Sequence, residues 1–201
     1  MKEEFEAIYA DDRWGAGSGE GSLPVHTRTY VNTIQAFIRM RGIQKIVDLG
    51  CGDWQFSRLM DWSGVKYHGF DIADSVIEKN RKEYGSENIN FHFFGGDFNK
   101  LPVADLLLAK DVLQHWSNAT VERFLPCVAR YSYSIITNCV NPKGPTENKD
   151  IKDGGFRPLD VRLPPFNVEA TELLQFTNRK PPVLSFLQRT RWQKRVLLLS
   201  S

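Results

Sequence analysis

Cysteine is scarce in this sequence, and so is any excess of charge. The three cysteines, Cys51, Cys127 and Cys139, are widely spaced, and no Cys-x-x-Cys pair occurs among the 201 residues. This spacing argues against a disulfide framework and against a zinc knuckle, so we expect no metal site. Unpaired cysteines are typical of a reducing compartment, and we therefore expect a cytoplasmic protein.

Lysine and arginine number 26 against 24 aspartates and glutamates, a formal net charge of +2. That balance does not favour nucleic acid as a partner. The longest apolar runs, such as Val103–Leu108, are far shorter than the roughly 20 residues of a membrane helix. The acidic start, Met1–Glu6, lacks the apolar centre of a secretory signal. Together these features predict a single globular domain without a membrane partner.

Apolar strands alternate with helices through the middle of the chain, which predicts βαβ units and a largely parallel sheet. The predicted strands are Lys45–Leu49, Tyr67–Asp71, Ile89–Phe94, Asp105–Ala109 and Ser134–Cys139. The predicted helices are Thr27–Met40, Asp53–Met60, Asp74–Tyr84, with Asp74 or Ser75 as its cap, and Ser117–Arg130, with Ser117 or Asn118 as its cap. Two further strands, Ala170–Thr177 and Gln193–Leu199, are expected to close the sheet, the last of them antiparallel.

Two long segments are predicted to be loops. Trp14–Pro24 has glycine at every second position from 15 to 21, and Asn141–Pro165 is rich in proline, glycine, lysine and aspartate. Loops of this length inside a compact domain are usually functional or disordered. We expect the first to be a mobile lid, and the second to carry elements that recognise a substrate.

Acidic residues follow successive strands of the predicted sheet. Asp48, Asp71 and Asp97 end the first three strands, and Lys110 with Asp111 ends the fourth. The carboxyl ends of parallel strands meet at one rim of the sheet, where ligands bind in open α/β folds. Several acids at one rim are costly unless the ligand brings positive charge or hydrogen-bond donors.

The turn after the first strand has the spacing Gly50-Cys51-Gly52 between two acids, Asp48 and Asp53. A dinucleotide fingerprint needs a third glycine, and Gln55 occupies that position. Acids on both sides of the turn also disfavour a pyrophosphate. The turn therefore points away from a nicotinamide cofactor, although a nicotinamide oxidoreductase stays open as an alternative.

Four segments together resemble class I S-adenosylmethionine-dependent methyltransferases. Val47–Gly52 is similar to the first motif of this family, Gly69–Ile72 to the second, Gly96–Phe98 to the third, and Ala109–Trp116 to the segment after the fourth strand. The order and spacing match across residues 43–140. The resemblance implies an α/β class with a single Rossmann-like domain. It implies a mostly parallel seven-stranded sheet, helices on both faces and an antiparallel last strand.

This resemblance divides the single domain 1–201 into three parts and supplies roles for its residues. Residues 1–42 would form an N-terminal lid and helix, 43–140 the cofactor-binding core, and 141–201 a substrate loop and closing strands. In the family, an acid after the second strand binds ribose hydroxyls, and an acid and an apolar residue after the third contact adenine. Contacts to S-adenosyl-L-methionine are predicted for Asp48, Gly50, Cys51, Gly52, Asp71, Ile72, Asp97, Phe98, Lys110, Trp14, Arg28 and Tyr30.

Methyl transfer needs a general base only if the acceptor must lose a proton. His115 is the first candidate by position and by its near-neutral reference pKa, Asp111 the second and His26 the third. Trp116, Arg157 and Arg162 are predicted to contact the substrate, the arginines through an anionic group.

Pro126-Cys127 is similar to the nucleophile pair of cytosine-5 methyltransferases, yet it falls within a predicted helix, which favours a buried structural cysteine. The predicted function is methylation of oxygen or nitrogen on a small molecule such as a sugar, a metabolite or a natural-product scaffold. An RNA or protein methyltransferase, or a non-catalytic S-adenosylmethionine-binding protein, is the alternative. A homodimer mate is a further expected partner that would complete the substrate site.

Overall fold

The computed structural model of the chain describes residues 2–15, 17–144, 147–178 and 193–200. Four α-helices lie in this part of the chain: α1 (Lys2–Ala10), α2 (Pro24–Arg41), α3 (Asp74–Tyr84) and α4 (Asn118–Val128). Seven strands form one sheet: β1 (Lys45–Leu49), β2 (Lys66–Asp71), β3 (Ile89–Phe93), β4 (Leu106–Lys110), β5 (Tyr133–Val140), β6 (Thr171–Thr177) and β7 (Gln193–Ser200).

The sheet order is β3-β2-β1-β4-β5-β7-β6. Strands β1 to β5 are parallel, and β7 runs antiparallel to both of its neighbours, β5 and β6. The predicted fold class is confirmed. Because the chain leaves β1 on one side for β2 and returns on the other for β4, a crevice opens between the carboxyl ends of β1 and β4.

Apolar side chains cover both faces of the sheet. Helix α2 places Ile34, Phe37 and Ile38 on one face at the predicted helical spacing, whereas Phe124 of α4 packs on the other. All residues of β4 are buried, as expected for a central parallel strand. Packing on both faces fixes the positions of the strand ends, and therefore of the rim at which the acids lie.

The prediction of a helix at Asp53–Met60 is wrong. Only a single 3₁₀ turn forms, at Ser57–Leu59. Trp54 adopts a φ of +59°, which interrupts a helix, and its indole is buried against Trp62 and Tyr67. Burial of the aromatic rings therefore decides the path of the chain here.

The sequence pattern did not predict helix α1, although this helix completes the end of another. Glu6 of α1 accepts hydrogen bonds from the Asp74 backbone N–H at 2.6 Å and from the Ser75 hydroxyl at 2.8 Å. The prediction that Asp74 or Ser75 caps α3 is therefore wrong. A carboxylate from α1 satisfies the helix terminus instead. At α4 the predicted Ser117 cap is confirmed, because its hydroxyl accepts from the Thr120 N–H.

The described part of the predicted loop Asn141–Pro165 contains no helix or strand, yet some of its side chains are packed into the core. Leu159 and Val161 are buried, and Asn148 donates to the carbonyl of Asp160. The prediction that no helix separates the last two strands concerns residues that lie mostly outside the described ranges. No helix in the described residues has the length and apolar character needed to cross a membrane.

Candidate active site

A cavity of about 270 Å³ opens at the carboxyl ends of β1, β2, β4 and β5. Segments from most of the described chain contribute to its walls. The structure brings together eleven of the residues that the sequence nominated: Trp14, Asp48, Gly50, Cys51, Gly52, Asp71, Ile72, Lys110, Asp111, His115 and Trp116.

The turn after β1 requires glycine for a specific steric reason. Gly50 has a φ of +77°, and a Cβ atom there would lie 2.2 Å from Val112 Cγ2. The N–H groups of Gly50 and Cys51 both donate to the Phe70 carbonyl at the end of β2. The turn is therefore pressed between the ends of β2 and β4, and its backbone forms the floor of the cavity.

On this side of the cavity Asp48 and Asp71 are buried, and neither forms an ion pair within the described residues. Burial raises the pKa of Asp48 to about 6, even though Tyr67 donates a 2.7 Å hydrogen bond to it and Lys110 lies near. Burial also raises the pKa of Asp71, which accepts from the N–H groups of Gly52 and Ala73. Within the described residues, the buried Asp53 Oδ1 has no hydrogen-bond partner. These carboxylates fit a ligand that carries cationic groups and hydroxyl donors.

The N-terminal segment closes over the same turn. The Ser18 hydroxyl accepts a 2.9 Å hydrogen bond from the Asp53 N–H and bonds to the Tyr9 hydroxyl at 3.0 Å. Trp14 packs edge-on against Tyr9, and its ring centroid lies 5.0 Å from that of His115. Trp14 therefore contacts both the N-terminal helix and the far wall of the cavity.

His115 is held in one tautomer by its neighbours. Its Nδ1 lies 2.7 Å from the Gly155 carbonyl, which can only accept, so Nδ1 carries the proton. The Gln114 Oε1 accepts from the Cys139 N–H, so the amide nitrogen of Gln114 faces His115 Nε2, at 3.3 Å. Both contacts place the proton on Nδ1, and the lone pair of Nε2 accepts from the Gln114 amide. Burial lowers the pKa of His115, so the ring is neutral at pH 7.

Asp111 lies between two lysines. Its carboxylate oxygens each contact one ammonium group, Lys110 Nζ and Lys194 Nζ, both at 2.6 Å. Burial alone would raise the pKa of Asp111, but the two ammonium groups outweigh it and hold the pKa at about 2. So acidic a group accepts a proton poorly, which makes Asp111 a worse general base than His115. The catalytic role of Asp111 stays a prediction, which its low pKa disfavours.

Five nominated residues lie outside the cavity walls, for different reasons. Asp97 is exposed, and its side chain accepts from the Asn99 N–H of a 3₁₀ turn. Phe98 faces the core, against Phe94, Trp116 and Phe124. On α2, the side chain of Arg28 is exposed, that of Tyr30 is buried beneath Lys110, and His26 is half-buried away from the cavity. Phe94, at the end of β3, lines the cavity where Asp97 and Phe98 were expected.

Arg157 and Arg162, the two arginines predicted to bind the substrate, do not line the cavity. Arg157 is buried and donates to the Trp116 carbonyl at 3.0 Å, to the Lys149 carbonyl and to Asn118 Oδ1. Arg162 pairs with Asp160 at 2.9 Å, on the β6 side of the loop. Both guanidinium groups are occupied in holding the loop, because its backbone carbonyls and acids need partners.

Other residues of the cavity wall have no local sequence signal. Lys194 belongs to β7 and reaches the cavity because it pairs with Cys139 of β5 in the antiparallel register. Phe156 comes from the second loop, which binds back through the N–H of Gly154 to the His115 carbonyl.

Cys127 lies in α4, buried as expected of a helix cysteine, with its thiol 3.6 Å from the Phe98 carbonyl.

Comparison with protein families assigns the chain a class. The family model described as "O-methyltransferase domain" matches residues 2–152. The chain therefore belongs to the O-methyltransferase domain family, and it is an S-adenosylmethionine-dependent methyltransferase. No curated protein matches the chain at the level of sequence.

Solved structures share the fold at low sequence identity. Magnesium protoporphyrin IX methyltransferase from Synechocystis PCC 6803, with bound S-adenosylhomocysteine, is 15% identical with a TM-score of 0.62, covering 98% of this chain and 96% of that one. The methyltransferase domain of bacterial CtHen1 is 15% identical with a TM-score of 0.57, covering 86% of this chain and 99% of that one. The N-terminal domain of EvdMO1, in the presence of S-adenosylhomocysteine and D-fucose, is 16% identical with a TM-score of 0.58, covering 85% and 82%.

Proposed function

We propose that the protein transfers a methyl group from S-adenosylmethionine to a hydroxyl oxygen of a small molecule, with His115 as the general base. The observation that carries this proposal is the fixed tautomer of His115, with a lone pair on Nε2 in the cavity wall. A neutral imidazole is a suitable base for a hydroxyl, which must lose its proton as oxygen attacks. The family description, an O-methyltransferase domain, also favours oxygen over nitrogen.

The cofactor is proposed to lie along the turn after β1. Asp71 would accept from the ribose hydroxyls, Ile72 and Phe94 would contact the adenine, and the backbone of Gly50 and Gly52 would adjoin the methionine part. Asp48 and Asp53 offer carboxylate oxygens to the cationic groups there. When bound, S-adenosylmethionine supplies an electrophilic methyl group on a sulfonium.

The chain contributes positioning and proton transfer. The aromatic rings of Trp14 and Phe156 flank the His115 ring, with centroid distances of 5.0 and 5.7 Å, and shield it from water. A hydroxyl placed against Nε2 would take the place of the Gln114 amide as donor to the imidazole and pass its proton there during transfer. Gly155 would stabilise the resulting imidazolium, because its carbonyl already accepts from Nδ1.

A small acceptor is favoured by the size and enclosure of the site. The cavity measures about 270 Å³, and the N-terminal segment covers it through the Ser18 and Trp14 contacts. Two proteins of similar fold carry small molecules in their descriptions, magnesium protoporphyrin IX and D-fucose. A protein or RNA acceptor would need this cover to be displaced.

A two-step assay tests the proposal. Calorimetry first measures binding of S-adenosylmethionine, and a library of hydroxyl and amine compounds is then screened for release of S-adenosylhomocysteine. We expect turnover with hydroxyl compounds and methyl ethers as products. Cofactor binding with no turnover on any acceptor, or products methylated only on nitrogen, RNA or protein, would overturn it.

A further inference from the structure

The wall of the cavity formed by the ends of β4 and β7 has two buried ammonium groups and one carboxylate. Lys110 and Lys194 each contact a different oxygen of Asp111 at 2.6 Å. A single carboxylate thus serves two ammonium groups. The cluster of these three side chains has a net charge of +1 when all are ionised.

This charge is withdrawn from water. The side chains of Lys110 and Lys194 are 4% and 7% exposed, and that of Asp111 is 15% exposed. Asp48 offsets part of the charge of Lys110, whereas the carboxylate partner of Lys194 within the described residues is Asp111, which it shares. A buried charge that is only partly compensated is unfavourable, so the protein gains from a ligand of opposite sign there. Asp111 also holds a φ of +61°, a strained backbone for a residue other than glycine, and such strain is concentrated at functional sites.

The two lysines reach Asp111 from different strands of the sheet. Lys110 Nζ lies 4.9 Å from the centre of the Phe56 ring and donates to the Gly21 carbonyl, on the side of the β1 turn. Lys194 lies beside Cys139 at the edge formed by β5 and β7, and its Nζ also lies close to Gly21, where a Cβ atom would be 3.2 Å away. The charges of Asp111 and Lys194 both reach His115, the proposed base.

We propose that Lys194 binds an anionic group, a carboxylate or a phosphate, on the methyl acceptor, with Asp111 and Lys110 positioning its ammonium group. The acceptor would then be a hydroxylated acid or phosphate ester, oriented by its anion at β7 and by its hydroxyl at His115. This inference rests on the proposed function, since it assumes that the acceptor occupies the His115 side of the cavity.

Matched pairs of probes test the inference by binding alone. The protein is saturated with S-adenosylhomocysteine and titrated by calorimetry with 4-hydroxybenzoate against 4-hydroxybenzamide, and with 4-hydroxyphenyl phosphate against hydroquinone. The two pairs distinguish a carboxylate from a phosphate. We expect the charged member of at least one pair to bind about tenfold more tightly than its neutral partner.

Three variants locate the effect. Lys194→Gln is expected to abolish the preference for the charged probe, whereas Lys194→Arg, which keeps the charge, retains it. Lys66→Gln is the matched control, because it removes the same charge from an exposed position at the opposite rim of the sheet. Melting temperatures and affinity for S-adenosylhomocysteine confirm that each variant is folded.

Several outcomes would overturn the inference. Equal affinity within both pairs would do so, as would failure of both charged probes to bind at millimolar concentration. A Lys194→Gln variant that loses affinity for S-adenosylhomocysteine but keeps its preference for the charged probe would assign Lys194 to the cofactor instead. If the anion preference depends on Lys194 while no hydroxyl compound is methylated, the inference stands and the proposed function fails. If neutral hydroxyl compounds are methylated as fast as charged ones, the proposed function stands and the inference fails.

Discussion

The two ends of the cavity differ in how far apart in the chain their residues lie. The end proposed for the cofactor is formed mainly by the turn Asp48–Asp53 and by Asp71, within 24 consecutive positions. The end proposed for the acceptor joins Lys110–His115 to Gly155 and Lys194. The first end depends on local turn geometry, and the second on strand pairing and loop packing across the domain.

The charges of the two ends also differ in sign. Asp48 and Asp71 are acids whose pKa is raised, because burial outweighs the hydrogen bonds to both and the charge of Lys110 near Asp48. At the other end, two ammonium groups contact the single carboxylate of Asp111. One end is therefore suited to a cationic ligand and the other to an anionic one. Substitutions that affect only one end test whether the division is real.

The largest effect is expected at the acceptor end. His115→Asn removes the proposed base, so we expect kcat to fall by about 10²–10⁴-fold, the usual contribution of general-base catalysis. The Kd of S-adenosylmethionine should not change, because the substitution lies at the other end of the cavity. Steady-state kinetics and calorimetry measure the two quantities. A Kd that rises in parallel with the loss of kcat would place His115 at the cofactor instead.

Arg157→Met tests the loop that holds His115. The buried guanidinium donates to two backbone carbonyls and to Asn118, so its loss should lower the free energy of unfolding by about 2–3 kcal/mol. Chemical denaturation measures this change. Arg162→Met is the matched control, with an expected change of about 0–1 kcal/mol, because Arg162 forms a partly exposed ion pair. Equal destabilisation by both variants would refute a special role for Arg157.

Asp71→Asn tests the cofactor end. Loss of a charged acceptor for the ribose hydroxyls should weaken S-adenosylmethionine binding by about 1–3 kcal/mol. Asp97→Asn should leave the affinity unchanged, because the Asp97 side chain lies outside the cavity. Calorimetry distinguishes the two variants. A loss of affinity in Asp97→Asn alone would restore the family's third motif to the site.

The smallest expected effect is a dependence of cofactor affinity on pH. The pKa of Asp48 is about 6 in the free protein, and a bound cation would lower it, so binding releases a proton below pH 6. Affinity should rise with pH up to about 6 and then level off, by at most about tenfold per unit. Calorimetry in buffers of different ionisation enthalpy measures the proton release. Persistence of the same slope in Asp48→Asn would assign it to another group.

The same raised pKa affects stability with the opposite sign. The folded protein binds the Asp48 proton more tightly than the unfolded chain does, where the pKa is near 3.8. Asp48 therefore lowers the stability of the free protein as the pH rises from 3.8 to about 6.

The sequence alone predicted the strands of the core and the turn that forms the floor of the site. Gly50 and Gly52 between acids, and a further acid at Asp71, are local patterns that require only a tight turn at a strand end. The alternation of strands and helices predicted the α/β class, and the resemblance of the motifs to class I methyltransferases implied the cofactor. The structure places Asp97 outside the cavity and Phe98 in the core, because the path of the chain after β3 turns Phe98 inward, and their contacts to the cofactor stay predictions.

Only the tertiary structure decided the acceptor end. Lys194 reaches the cavity through the register of β7 against β5, and Gly155 orients His115 from a loop 40 residues away. The cap of α3 likewise comes from Glu6, and the structural use of Arg157 depends on carbonyls that a sequence does not show. Local propensity and spacing specify turns and strands, whereas contacts between distant residues form only once the whole sheet and its loops are packed.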